Sequence, residues 1–184
     1  MVSQSGNRDA AEEDGDDSAG AQEERGEGYV KRYIGVDVGK EGGFAMIDED
    51  GNVEVYPMDE WMLAQTFESW AFDDCIVYIE KASVRPGQGI SSSGNFMEGA
   101  GYIRGIVTAN HMPFELIPPA KWKKPFGANL GREFSYAEKK SKDIEICKRL
   151  FPNVSIKKSS RCKNDSDGMA DALLIAEYCR RTCK

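Results

Sequence analysis

Histidine is nearly absent from this sequence: His111 is the single copy. Cysteine is present but unpaired in pattern, with no Cys-x-x-Cys among Cys75, Cys147, Cys162, Cys179 and Cys183. A Cys/His zinc site needs several such ligands at close spacing, so both features argue against one. An odd number of cysteines also gives no disulfide framework, and a reducing compartment is the simpler expectation. Long apolar runs are missing too. None approaches the ~20 residues of a membrane helix, so no membrane association is expected. No apolar signal core follows Met1, and the acidic opening is unlike an Arg/Ser-rich transit peptide.

Large apolar side chains are scarce in residues 1–29, which are rich in Gly, Asp, Glu, Ala and Ser. Such a stretch buries too little surface to offset its ordering entropy, which predicts a disordered acidic tail at 1–29 before one domain at 30–184. The charge is correspondingly uneven. Residues 1–30 hold nine Asp/Glu against Arg8 and Arg25, a net of -7, which is the whole net charge of the chain. The remainder balances 22 basic against 22 acidic residues. Within it, residues 121–163 carry 13 Lys/Arg and four Asp/Glu. A basic patch on a neutral body suits a polyanion, although a solvated lysine-rich face has the same composition.

The hydrophobic pattern predicts strands at about 31–38, 43–48 and 53–57, with Asp48-Glu49-Asp50-Gly51-Asn52 as a hairpin turn offering Gly and Asn for positive φ. Helical spacing over 59–70 comes next, then an apolar strand from Cys75 to Glu80. A Gly/Ser-rich loop at 85–94 leads into a helix at about 95–109. Phe114-Glu115-Leu116-Ile117 reads as a strand stopped by Pro118-Pro119. Helices follow at about 135–150 and 168–181, separated by a lysine-rich loop at 155–166. No internal repeat is visible. This order predicts an α/β domain with a mixed sheet and helices on both faces, the element order of the ribonuclease H-like fold.

Four carboxylates stand at informative places. Asp37 lies in the first strand, where Asp is a poor strand former. Glu80 ends the fourth strand directly after an apolar run. Asp167 and Asp171 are four apart at the opening of an otherwise apolar helix, so they share one face. Each also fits a local role. Asp167 and Asp171 suit a helix N-terminus, Glu80 suits a pair with Lys81 or Arg85, and Asp37 suits a cap of its own turn. If all four converge, their repulsion raises their pKa values or calls for a cation. Oxygen ligands without His or Cys select Mg²⁺ or Mn²⁺. Two such ions ~4 Å apart would clamp a phosphodiester.

With these residues in place, the chain resembles the RuvC-like Holliday junction resolvases, in particular the phage-type and plant chloroplast (monokaryotic chloroplast) branch. The resemblance rests on an ordered set of pieces across 33–178: Gly35-Val36-Asp37 with Gly42-Gly43-Phe44-Ala45; Ile79-Glu80-Lys81 leading to Pro86-Gly87-Gln88-Gly89; Asn95-Phe96 with Gly99 and Gly101-Tyr102; Pro119-x-Lys121-Trp122-Lys123-Lys124; Lys142-Asp143 ahead of Leu150-Phe151-Pro152; and Asp167-Gly168-Met169-Ala170-Asp171 continuing to Ala176. It implies that Asp37, Glu80, Asp167 and Asp171 ligate two divalent ions and that a homodimer nicks symmetric strands of a four-way DNA junction. Gln88, Ser91, Ser92, Ser93 and Phe96 become DNA-contact candidates on the loop that enters the junction. Lys121, Lys123 and Lys124 would track phosphates, and Lys142 would stand near the scissile phosphate as a catalytic cation. An organelle such as the chloroplast comes into view by resemblance alone.

Two positions depart from that pattern. Ser166 precedes Asp167 where relatives often carry a basic residue or histidine, and Asp165 adds a nearby acid that could assist or replace Asp167. The loop reads Ser91-Ser92-Ser93-Gly94, without the aromatic residue some relatives place there. Two other functions fit parts of the sequence: a non-catalytic nucleic-acid-binding protein, and an actin/sugar-kinase-type ATPase whose phosphate hairpin would be Asp37-x-Gly39 with Gly42-Gly43. The ATPase fold needs a duplicated domain, for which the chain is short.

Overall fold

A computed structural model describes residues 30–84, 87 and 89–183. The expected tail at 1–29, and with it Arg85, Pro86, Gln88 and Lys184, lies outside the described residues. The elements are β1 (Lys31–Asp37), β2 (Gly43–Asp48), β3 (Val53–Pro57), α1 (Glu60–Trp70), β4 (Asp74–Glu80), α2 (Ile90–Ala109), β5 (Phe114–Ile117), α3 (Pro119–Lys123), a 3₁₀ turn (Lys124–Phe126), α4 (Tyr136–Leu150) and α5 (Asp167–Thr182).

The five strands form one sheet in the order β3-β2-β1-β4-β5. β2 runs antiparallel to β1 and β3, whereas β4 is parallel to β1 and β5 is parallel to β4. This is the mixed sheet of the ribonuclease H-like fold, as the element order predicts. Short turns suffice for the antiparallel pairs. The turn between β2 and β3 is held by Asp48, whose carboxylate accepts from Asn52 N at 2.8 Å and Asn52 Nδ2 at 2.7 Å. Gly51 alone takes the positive φ there, at 88°, so the expected role for Asn in that conformation falls to the glycine.

Side-chain alternation decides what each face of the sheet carries. On β1 and β4, Ile34, Val36, Cys75, Val77 and Ile79 pack under α1 and α2. Leu63, Phe67 and Trp70 supply the buried stripe of α1, and Asp59 caps that helix by accepting from Met62 N at 2.8 Å. The opposite face packs against α4 and α5 through Tyr33, Tyr78, Ile146, Leu173 and Ala176. Both faces are therefore covered by helices, in three layers. α5 crosses directly over β1. A Cβ on Gly35 would lie 2.2 Å from Ala176 N and 2.3 Å from Ala172 O, so only glycine admits the helix at that depth.

One boundary differs from expectation. α2 begins at Ile90 rather than near 95, which places Ser91, Ser92 and Ser93 in its opening turns and not in a loop. Ser93 N already donates to Gly89 O at 2.9 Å. The buried residues of α2, Ala100, Ile103 and Val107, all lie in its second half. Once that half is anchored, each further turn adds a hydrogen bond without a new nucleation cost, so the helix extends through residues that have no apolar periodicity of their own.

Candidate active site

The site begins with strand geometry. β1 and β4 are adjacent and parallel, with Val36 paired to Ile79. The next residue of each strand is an acid, Asp37 and Glu80, and alternation turns both toward the face covered by α5. Two local features then bring the start of α5 to them. Ser166 caps the helix by accepting from Met169 N at 3.4 Å. Gly168 lets the helix rest on the β1–β2 turn, because a Cβ there would meet Glu41 O at 2.1 Å and Gly42 Cα at 2.4 Å. Asp167 and Asp171 follow on the face turned toward the strand ends.

The electrostatics show the four acids acting on one another. Burial pushes Asp37 up to about 6, with the Gly39 N–H donating to Oδ1 at 3.3 Å in opposition and the Asp167 charge adding to the rise. Glu80 is pushed up to about 7, chiefly by burial and next by the charge of Asp37. Asp171 stands well above the usual carboxylate range. Burial is the main cause and the Lys123 ammonium opposes it, while Asp143, Asp37 and Glu80 raise it further. Three acids thus resist ionisation for a shared reason: they are taken out of water together.

Four further residues complete the cluster, and sequence reasoning assigned none of these roles. Trp122 is fully buried and donates its indole N–H to Glu80 Oε2 at 3.0 Å. Asp143 is 2% exposed and accepts from Lys123 Nζ at 2.6 Å. Lys123 Nζ also reaches Asp171 at 3.7 Å and lies 4.7 Å above the Trp122 ring. Lys140 forms an ion pair with Asp167. A signal for Asp143 was present in the sequence: it occupies the apolar stripe of α4 beside Ile146 and Cys147, where an unpaired charge would be costly.

The other expected site residues divide as follows. Lys142 is not brought to the acids. It pairs with Glu145 at 3.1 Å on the outer flank of α4, because the helix turns residues 140, 143 and 147 inward and 142 and 145 away. Lys123, expected to track phosphates, turns its ammonium inward to Asp143 and Asp171. Lys121 is exposed and paired with Glu115 at 2.9 Å, and Lys124 is exposed. Ser91 and Ser92 are exposed at the start of α2, Ser93 is half-buried, and Phe96 packs partly into the core beneath α2. Gln88 lies outside the described residues. Asp165 is held by Lys148 at 2.8 Å.

The donor chemistry fits a hard divalent cation. The ligands on offer are carboxylate oxygens; Asp171 Oδ1, and Asp143 Oδ1 beside it, are buried and receive no N–H from the described residues. Among the described residues no three His, Cys, Asp or Glu side chains are placed around one point as a ready metal cage. The positions observed are those of a cluster neutralised by Lys123 and Lys140.

No family model matches the chain, and no curated protein matches it. Among solved structures, it is similar to Thermus thermophilus RuvC in complex with a Holliday junction substrate: 10% identity, 81% of this chain and 91% of the other covered, TM-score 0.49. A second T. thermophilus RuvC structure gives 12% identity, coverage of 83% and 96%, and a TM-score of 0.45. The yeast mitochondrial Holliday junction resolvase Ydc2 gives 17% identity, coverage of 80% and 77%, and a TM-score of 0.42. At these scores the likeness carries no functional argument, and the fold rests on the strand order and directions given above. No helix among the described residues is long and apolar enough to cross a membrane.

Proposed function

We propose that this chain is a divalent-metal-dependent, structure-selective DNA endonuclease that resolves four-way junctions as a homodimer by symmetric phosphodiester hydrolysis. The sequence resemblance to the phage-type and plant chloroplast resolvases supplies the substrate. The observation that carries the chemistry is the meeting of Asp37, Glu80 and Asp171 in one desolvated cluster, each raised by the charge of another acid. A fold does not gather such groups for stability, because each buried like charge opposes folding.

In this reading Asp37, Glu80, Asp167 and Asp171 hold two ions, Mg²⁺ or Mn²⁺. When bound, such a pair activates water and stabilises the leaving oxygen. The rest of the work belongs to the protein. Trp122 fixes the direction of the Glu80 carboxylate through its indole N–H. The stacking of α5 on Gly35 and of Gly168 on the β1–β2 turn fixes the spacing of strand-borne and helix-borne acids. Lys121, Lys124 and Lys142 serve phosphates from outside the cluster, while Gln88, Ser91, Ser92, Ser93 and Phe96 are the candidate contacts for the branch point.

The deciding experiment is cleavage of a synthetic four-way junction in Mg²⁺ by wild type and Asp37→Asn. Symmetric nicks from the wild type, none from the variant, and retained junction binding by the variant are expected. A second reading, a junction-binding protein without catalysis, is favoured by one feature: Lys123 and Lys140 already neutralise part of the acid cluster. Tight, salt-sensitive binding with no cleavage in Mg²⁺ or Mn²⁺ would establish that reading and sink the first.

A further inference from the structure

Lys123 and Asp143 do not suit a nucleic-acid surface. Lys123 sits on α3, immediately after the tryptophan that orients Glu80, and its ammonium turns into the protein. There it bonds to Asp143 at 2.6 Å and approaches Asp171 at 3.7 Å. Its charge acts on Asp37 and Glu80 as well. It therefore faces three of the acids assigned to the metal and one that is not. Its two partners, Asp143 and Asp171, also act on each other, and each keeps a buried Oδ1 that no N–H of the described residues reaches.

We propose that Lys123 is a resident counter-cation of the acid cluster and that Asp143 is its parking place: a divalent ion displaces the ammonium from Asp171, and Asp143 retains it. This rests on the metal-dependent reading above. The physical reason is charge balance. In low dielectric, the ionised cluster without metal is stabilised by a cation standing in it. A lysine ammonium on a flexible stem can leave without a backbone rearrangement. Asp143, anchored in the apolar stripe of α4, keeps the displaced charge paired and close. Lys123 and Asp143 are positioning residues, acting through Asp171 and not on the substrate.

The two residues should then move metal affinity in opposite directions. Lys123→Met removes the competitor and leaves its volume, so Mn²⁺ should bind DNA-free protein on the order of tenfold more tightly. Asp143→Asn removes the parking place, leaves the ammonium on Asp171, and should weaken Mn²⁺ by a similar factor. Lys123→Arg keeps the charge and should not tighten binding. In the double variant, the effect of Asp143→Asn should largely vanish, because there is no ammonium left to park.

The experiment is isothermal titration of Mn²⁺ into wild type and these four variants, with folding checked by circular dichroism. Opposite signs together with the collapsed cycle support the proposal. Weaker binding in both Lys123→Met and Asp143→Asn would overturn it, making the pair scaffold or Asp143 a ligand. Unchanged affinity in Lys123→Met overturns it equally. No Mn²⁺ binding by folded wild type is a different result: it removes the metal site itself and the endonuclease reading with it.

Discussion

Trp122 donates its indole N–H to Glu80 Oε2 at 3.0 Å, and this is the hydrogen bond that aims the strand-end carboxylate into the acid cluster. The bond crosses from α3 to β4, so it also ties the basic segment to the sheet. Trp122→Phe keeps an aromatic ring in a fully buried position and removes only the donor. Junction cleavage should fall by roughly 10–100-fold, the usual cost of losing a group that orients a ligand. Cleavage rates across a metal titration, beside a thermal melt, check this. A fully active variant would mean that Glu80 needs no aiming.

Protonation should oppose metal. Asp37 and Glu80 rise from ordinary values of 3.8 and 4.5 to about 6 and about 7. A raised carboxylate binds its proton more tightly in the folded than in the unfolded chain, so the stability it contributes is complete below the ordinary value. That contribution is lost as pH climbs through the folded value. Metal-free protein should therefore lose stability between about pH 4 and pH 7 from these groups. Divalent ions bind the ionised form, so Mn²⁺ should raise the melting temperature far more at about pH 8 than at about pH 5. An equal increment at both would contradict ligation by these acids.

Asp165 and Asp167 should separate cleanly. Asp165 is engaged by Lys148 at 2.8 Å, whereas Asp167 opens α5 in the field of Asp37. Asp165→Asn breaks a partly exposed ion pair, worth ~0–1 kcal/mol, and should leave cleavage within about threefold. Asp167→Asn should lower it by roughly 100-fold or more. Rates measured on one junction at fixed Mg²⁺ decide the matter, and the reverse ranking would give Asp165 the ligand role.

Gly35→Ala tests the depth of α5. The added Cβ would fall 2.2 Å from a backbone nitrogen of the helix, which no rotamer change relieves. We expect a loss of about 3 kcal/mol or more, at the upper end of overpacking costs. For a chain of this size that lowers the melting temperature by roughly 6 °C or more. Unchanged melting would mean that α5 does not rest on β1 as described.

Much of the fold was legible in the sequence because local rules governed it. The apolar runs of β1 and β4 located Asp37 and Glu80 at strand ends before any contact was known. The i, i+4 spacing did the same for Asp167 and Asp171 at a helix start. The start of α2 was illegible because that turn is held by propagation from buried residues further along, and Ser91 to Ser93 carry no periodic signal.

By itself, then, the sequence determined the element order, the four candidate acids and the pairing of Asp167 with Asp171 on one helix face, all consequences of spacing along the chain. Tertiary structure alone decided which cations and donors joined them. Lys123, Lys140 and Lys142 are alike in composition. Which one faces the acids depends on how α3 and α4 are rotated against the sheet, and that rotation is set by distant burial of Trp122, Ile146 and Cys147. The role of Asp143 was hidden for the same reason, since a carboxylate in an apolar stripe has meaning only once its partner from another helix has been found.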